Sequence, residues 1–280
     1  RAQGIVHSMA SGNLEFLTDG DWTKRLHPGW AGVCGTTAAA FAGSGFLGPR
    51  RPYEGRYGVY NLHLGADAGV DASGLGNDLG REWELLDVAF KPYPACHFNH
   101  AFADAALALR RAHDIDPTRI ERITCAIHSQ QVDVVCEPIA AKRRPRTDYE
   151  AQFSLPFVVA AALVRGRFTL GELDAEALSD ARILELAGRV DYAEDPASAY
   201  PSAFSGAITI RLDDGRELVH REDVNRGARA NPLSPEDVLE KFFANACRAT
   251  SRTRAEAIVG EIEALETRGD LTRLAECLGR

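Results

Sequence analysis

A chain of 280 residues, 45% hydrophobic and 26% charged, is long enough to bury one full core and more readily two, because single cores stop growing near this length. Its net charge of -8, from 40 acidic against 32 basic residues, argues against a nucleic-acid binder, whose phosphate neutralisation needs a basic face. No stretch approaches the roughly 18 consecutive apolar residues of a membrane span, and no charged-then-apolar leader precedes the first motif, so no membrane association and a cytoplasmic location are the default expectations.

Six cysteines, Cys34, Cys96, Cys125, Cys136, Cys247 and Cys277, are scattered without a CxxC pair. Reduced thiols are therefore expected rather than a disulfide framework or a structural zinc site. The chain starts at Arg1 without a Met and runs straight into an ordered-looking pattern, Gly4 to Gly12, from which a missing N-terminal part is expected.

From Ile5 to about Gly45 the periodicity predicts helix, with small residues dense between Ala31 and Gly43 and Pro28 placed as a first-turn residue. The Ala/Gly face suits the close approach of neighbouring helices in a bundle. Phe46 to Pro52 reads as a loop, Tyr53 to Leu64 as a turn-rich connection, and Gly65 to Gly80 as a Gly/Asp-rich stretch without the Lys-Ser/Thr of a phosphate loop. Trp83 to Phe90 then leads into a segment stiffened by Pro92 and Pro94.

His100 to His113 has strong helical periodicity, Arg119 to Gln130 alternates like a strand, and Tyr149 to Arg165 is again helical. Two alternating runs, Ala203 to Leu212 and Arg216 to His220, flank Asp213-Asp214-Gly215 and predict a hairpin. Ser234 is placed as an N-cap with Asp237 at the third helical position, ahead of a stripe of Val238, Leu239, Phe242, Phe243 and Ala246. Helices over Arg254 to Glu266 and Leu271 to Leu278 follow. The fold class expected is mainly α with an inserted α+β domain: helical over 1–88, α+β over 89–224, and C-terminal helices over 225–280 that return to the helical part.

Two segments carry the chemistry. Lys24 and His27, three residues apart with Arg25 between them, share one face if they share a helical turn. A lysine there suits a carboxylate near the positive end of a helix dipole. The alternative is that Lys24 and Arg25 are solvated charges and His27 an ordinary capping or core histidine. In the second segment the two prolines hold Lys91, Cys96, His97 and His100 in fixed relation ahead of a helix. His97 and His100, three apart with Cys96 adjacent, make a zinc site conceivable, but no further ligand stands at recognisable spacing to complete it. Cys96 is open to reading as a nucleophile or as a buried structural thiol. The basic run Lys142 to Arg146 reads as a solvated loop that borders an anion site at most, and Ser154 lacks a nucleophile elbow.

Taken together, Ala10-Ser-Gly-Asn13, Thr23-Lys-Arg-Leu-His-Pro-Gly29, Glu54-Gly-Arg-Tyr-Gly58, Phe90-Lys-Pro-Tyr-Pro94 with His100, and Ala151-Gln-Phe-Ser154 resemble the MmgE/PrpD family, which includes methylcitrate dehydratase, cis-aconitate decarboxylase and an iminodisuccinate epimerase. The match runs in order through nearly the whole chain, and this chain looks like the family's C-terminal portion. The resemblance implies a large helical domain, a smaller α+β lid, a site in the cleft between them, no metal or organic cofactor, and a homodimer.

Position by position, the resemblance implies catalytic roles for Lys24, Lys91 and His100 and a place in the site for Cys96, and the neighbouring Arg25, His27 and His97 are expected to bind a small carboxylate substrate. Cys96 stands where the decarboxylase has a site histidine, and Phe157 where some members have a tyrosine. A Phe donates no proton and a Cys is a poorer general acid than His near neutral pH, which counts against decarboxylation. The activity implied is a lyase working by proton abstraction alpha to a carboxylate, with 2-methylcitrate dehydration first, epimerisation of an imino- or amino-dicarboxylate second, and an inactive or truncated binding homologue as the non-enzymatic alternative. The family's remaining site histidines and acid lie in the N-terminal half, so the chain by itself is expected to lack a complete site.

Overall fold

The computed structural model describes residues 1–16, 22–65 and 68–279, apart from the side chain of Leu86. The parts of the expected first helix over 17–21 and of the Gly/Asp-rich stretch at 66–67 lie outside the described residues. The chain divides into two compact units, Arg1–Glu84 and Leu85–Arg280.

The first unit is helical. A short helix, Ala2–His7, packs on a long one, Thr23–Gly43, and a third runs over Val59–Leu64, where the sequence suggested only turns. The helical pattern expected from Ile5 to about Gly45 is interrupted, since residues 10–13 are non-helical. Pro28 does not start the long helix but lies inside it. The helix begins five residues earlier, the Arg25 N–H donating to the Trp22 carbonyl at 2.9 Å. Proline has no N–H to return to the Lys24 carbonyl, a loss confined to one bond close to the helix end.

The second unit carries a four-stranded sheet in the order β2-β1-β3-β4, formed by Ile120–Ile127 (β1), Val190–Glu194 (β2), Gly206–Leu212 (β3) and Glu217–Glu222 (β4). β1 pairs parallel with β2 and antiparallel with β3, and β3 and β4 form the predicted hairpin, with Ile210 opposite Leu218. Parallel pairing demands a crossover, and residues 129–187 supply one made of short helices. Alternation in β1 and β3 sends Ile120, Ile123, Cys125, Ile127, Ile208, Ile210 and Leu212 into the core. There they meet the helices His100–His113 and Leu155–Arg165. Gly206 is required at the start of β3, because a Cβ there would sit 2.6 Å from the ring of buried Phe102.

The expected helix over 149–165 is two helices, Asp148–Gln152 and Leu155–Arg165, because Ser154 stops one and caps the next, its hydroxyl accepting from the Phe157 N–H at 3.0 Å. The tail helices are Pro235–Ala246, Arg252–Glu263 and Thr272–Leu278. Ser234 and Asp237 form the expected capping box, each accepting the other's N–H at 3.1 Å. Among the described residues no helix is long and apolar enough to cross a membrane.

Candidate active site

The segment 90–100 is pinned from several directions. The Phe90 N–H donates to the Gly227 carbonyl at 2.8 Å, and Lys241 Nζ to the Lys91 carbonyl at 2.6 Å. The Cys96 N–H and the Asn99 side-chain amide both donate to the Gln152 carbonyl, at 2.8 and 3.2 Å. Gly227 has φ +90, and a Cβ on it would fall 1.8 Å from the Phe90 oxygen, so only glycine permits that approach.

Within this frame Lys91, His97 and His100 come together. Lys91 Nζ donates to the Ala95 carbonyl at 3.2 Å, and His100 Nε2 lies 3.3 Å from the same oxygen. A carbonyl only accepts, so His100 carries its proton on Nε2 and presents a lone pair at Nδ1. That Nδ1 has no hydrogen-bond partner among the described residues, and His100 is fully buried. Burial, then the neighbouring His97, push its pKa down to about 3 against the Ala95 bond, with Lys91 and Lys241 adding to the fall. His97 is half-buried, stacked on Phe204 at 4.3 Å between centroids and 4.9 Å from the His100 ring. Burial and the charge of Lys91 hold its pKa below the usual histidine value. Both imidazoles are neutral at neutral pH, beside a lysine cation.

A second polar group packs against this one. The Tyr93 hydroxyl donates to Asp104 Oδ1 at 2.6 Å, Arg226 Nε donates to the same oxygen at 3.1 Å, and the Arg226 fork reaches Tyr93 Oη at 3.2 Å and Asp237 at 2.9 Å. Tyr93 lies edge-on to His100 at 5.5 Å. Burial raises the pKa of Tyr93, helped by Asp104, so the phenol stays protonated. Burial also raises Asp104 against the bonds from Tyr93 and Arg226. None of these residues was singled out from the sequence as a site residue: Tyr93 was part of a family motif and Asp237 of a helix cap. An acid inside the apolar run Ala101-Phe-Ala-Asp-Ala-Ala-Leu107 was the readable signal for Asp104, whereas Arg226 had none, lying more than 100 positions from Tyr93 and Asp104.

Lys24, Arg25 and His27 belong to the first unit, in the opening turns of the helix Thr23–Gly43. Lys24 and Arg25 are exposed, with the Arg25 guanidinium 4.7 Å from the Trp22 ring centre. His27 is half-buried against Phe16, ring centres 5.7 Å apart, and beside Gly12. In the second unit Cys96 is half-buried, and burial lowers the pKa of Lys142.

The solvated loop expected over Lys142 to Arg146 is partly structural. Lys142 Nζ caps the Val134 and Phe153 carbonyls at 2.7 and 2.8 Å, and Arg143 holds the Val190 carbonyl and Asp191 at the sheet edge. Charged heads with long stems serve buried carbonyls that the irregular chain cannot pair itself. The Ser154 hydroxyl donates to the Lys142 carbonyl, completing its role as a cap. Phe157 is fully buried, and burial lifts the Cys136 thiol to about 12. Among the described residues no group of three or more His, Cys, Asp or Glu is arranged to hold a metal.

The profile of the MmgE/PrpD C-terminal domain matches residues 93–267. The chain is similar to cis-aconitate decarboxylase of Mus musculus, 31% identical over 90% of this chain and 52% of that protein, and to cis-aconitate decarboxylase of Homo sapiens, 30% identical over 91% and 53%. It is also similar to a cis-aconitate decarboxylase-like protein, oryM, of Aspergillus oryzae, 22% identical over 98% of this chain and 58% of that protein. The chain thus spans about half the length of the curated relatives it matches. With a domain profile covering well over half of its residues, including the segment that carries Tyr93, His97 and His100, the chain belongs to the MmgE/PrpD family.

Proposed function

We propose that the protein is a lyase acting on a small di- or tricarboxylate, without a metal or organic cofactor, by removal of a proton alpha to a carboxylate. The observation that carries this reading is the juxtaposition of Lys91 with two neutral imidazoles on one pinned segment. A lysine cation attracts the carboxylate, and a bound carboxylate in turn offsets the field by which Lys91 depresses His97. Charge that develops on the carboxylate as the alpha proton leaves is stabilised by the same cation. In this reading Lys24 and Arg25 add cationic charge and His27 a further imidazole for the substrate, His100 braces the carbonyl on which Lys91 is anchored, and Cys96 and His97 line the carboxylate. The α+β part, 89–224, acts as the lid, and the protein works as a homodimer on a soluble metabolite.

Loss of hydroxide from the beta carbon, taken up with a proton as water, makes the reaction a dehydration; 2-methylcitrate is the first substrate to test. The names of the relatives favour a second reading, loss of carbon dioxide from cis-aconitate with a proton returned to carbon. Phe157 and Cys96 weigh against it, since neither matches the proton-transfer groups expected there. Return of the proton to the opposite face of an imino- or amino-dicarboxylate would make the protein an epimerase.

The test is turnover by the full-length protein in deuterated water, followed by NMR with each candidate acid. Lys91→Ala is expected to lower kcat/KM by about 100-fold or more, with Lys24→Ala also impaired. If both variants turn over every candidate acid like wild type, the reading is wrong.

A further inference from the structure

What an imidazole does depends on which nitrogen bears the proton. His97 has its Nε2 at 2.8 Å from Asn225 Nδ2, and the same amide nitrogen lies 3.3 Å from the Arg226 carbonyl. The carbonyl needs a donor, so the amide cannot be turned to place its oxygen there. Asn225 therefore donates to both, and His97 must accept at Nε2 and carry its proton on Nδ1.

Asn225 is only 2% exposed and sits on a loop with little freedom. The Asn231 side chain donates to the Val224 carbonyl at 2.9 Å, and the Gly227 N–H to the Asn231 carbonyl at 2.7 Å. Gly227 in turn accepts from Phe90, and Arg226 is engaged by Tyr93, Asp104 and Asp237. The stacked Phe204, 15° from parallel, holds the ring plane.

We propose that Asn225 is a positioning residue of this site, holding His97 as the neutral Nδ1–H tautomer so that the ring meets a substrate carboxylate as a hydrogen-bond donor and not as the proton-abstracting base. Protonation at Nε2 would set an imidazole N–H against the Asn225 N–H, which costs both bonds. Of the charged and titratable groups around the ring, Lys91 disfavours its cationic form in the same direction; the His100 ring lies 4.9 Å away, Lys241 of the helix Pro235–Ala246 is bonded to the Lys91 carbonyl, and Arg226 on the loop is paired with Asp104 and Asp237. This inference rests on the carboxylate-site reading and assigns a role within it.

The experiment is nitrogen-15 NMR of the imidazoles in the full-length protein, with citrate as the probe anion. Wild type should show His97 protonated at Nδ1 and unprotonated at Nε2, with the Nδ1–H signal moving on addition of citrate. Asn225→Asp, nearly isosteric, should accept from Nε2–H instead, reverse the tautomer and raise the His97 pKa by about one pH unit or more. Asn225→Ala should weaken citrate binding and raise KM for any substrate by about ten-fold or more, with a smaller change in kcat. A wild-type ring protonated at Nε2 overturns the proposal. So does citrate binding that leaves His97 unmoved, or a pair of folded variants that bind citrate like wild type. Citrate binding with the predicted tautomer but no turnover of any candidate acid would instead leave Asn225's role intact and refute the lyase reading.

Discussion

The two units of the chain solve the burial problem differently. In Leu85–Arg280 a continuous core over residues 93–212 joins the helices His100–His113 and Leu155–Arg165 to the sheet, and Phe102, Phe157, Ile123 and Ile208 are fully enclosed. In Arg1–Glu84 the long helix Thr23–Gly43 encloses only Cys34 and Ala38, while Leu26, Trp30, Val33 and Phe41 stand exposed at helical spacing. The difference bears on the site. Side chains of the segment 90–100 are held by a packed scaffold and their geometry is over-determined, whereas Lys24 and Arg25 ride on a helix whose own apolar face is uncovered in this chain.

The largest expected effect that would test the contrast is acid sensitivity of the second unit. The unfolded chain binds a proton at His100 as pH falls below 6.5, whereas the folded state resists until about 3. The contribution is absent above pH 6.5, and stability is lost progressively as pH falls between those values, by about 5 kcal/mol at the lower end. Urea titrations across that range should show a shallower pH dependence for His100→Asn, and an unchanged slope would break the assignment of a buried neutral ring.

Next in size, Phe102→Ala should cost about 3–5 kcal/mol, read from the urea midpoint, because its ring fills the space left by Gly206 and the core cannot collapse around it. Ser154→Ala should cost about 1 kcal/mol in thermal denaturation through loss of a helix cap. Smallest of all, Trp30→Ser in the 280-residue chain should change stability by no more than about 0.5 kcal/mol, since the ring is 45% exposed. A much larger loss would break the comparison by showing that this helix face is packed.

Much of the fold was legible because its signals are local. The Asp213-Asp214-Gly215 hairpin, the Ser234 capping box and the helix starting at His100 each depend on residues within a few positions of one another. Pro28 misled because a proline's preference for a first turn is weaker than the demand of a long helix that tolerates one missing bond. The helix over 149–165 misled because continuous apolar periodicity hides a cap, whereas setting Ser154 aside as a nucleophile agrees with a hydroxyl committed to the backbone.

For the candidate site, the sequence by itself determined the chemistry of the segment 90–100: which cation, which imidazoles, and the prolines that stiffen the chain between them. Only the tertiary structure decided what those groups are. Neutral His100, the Asn225–His97 bond and the Tyr93–Asp104–Arg226 cluster depend on burial and on partners up to 133 positions apart. The physical reason is that a proton's place on a ring is set by the nearest donor, acceptor and dielectric, and those are supplied by whatever the fold brings alongside.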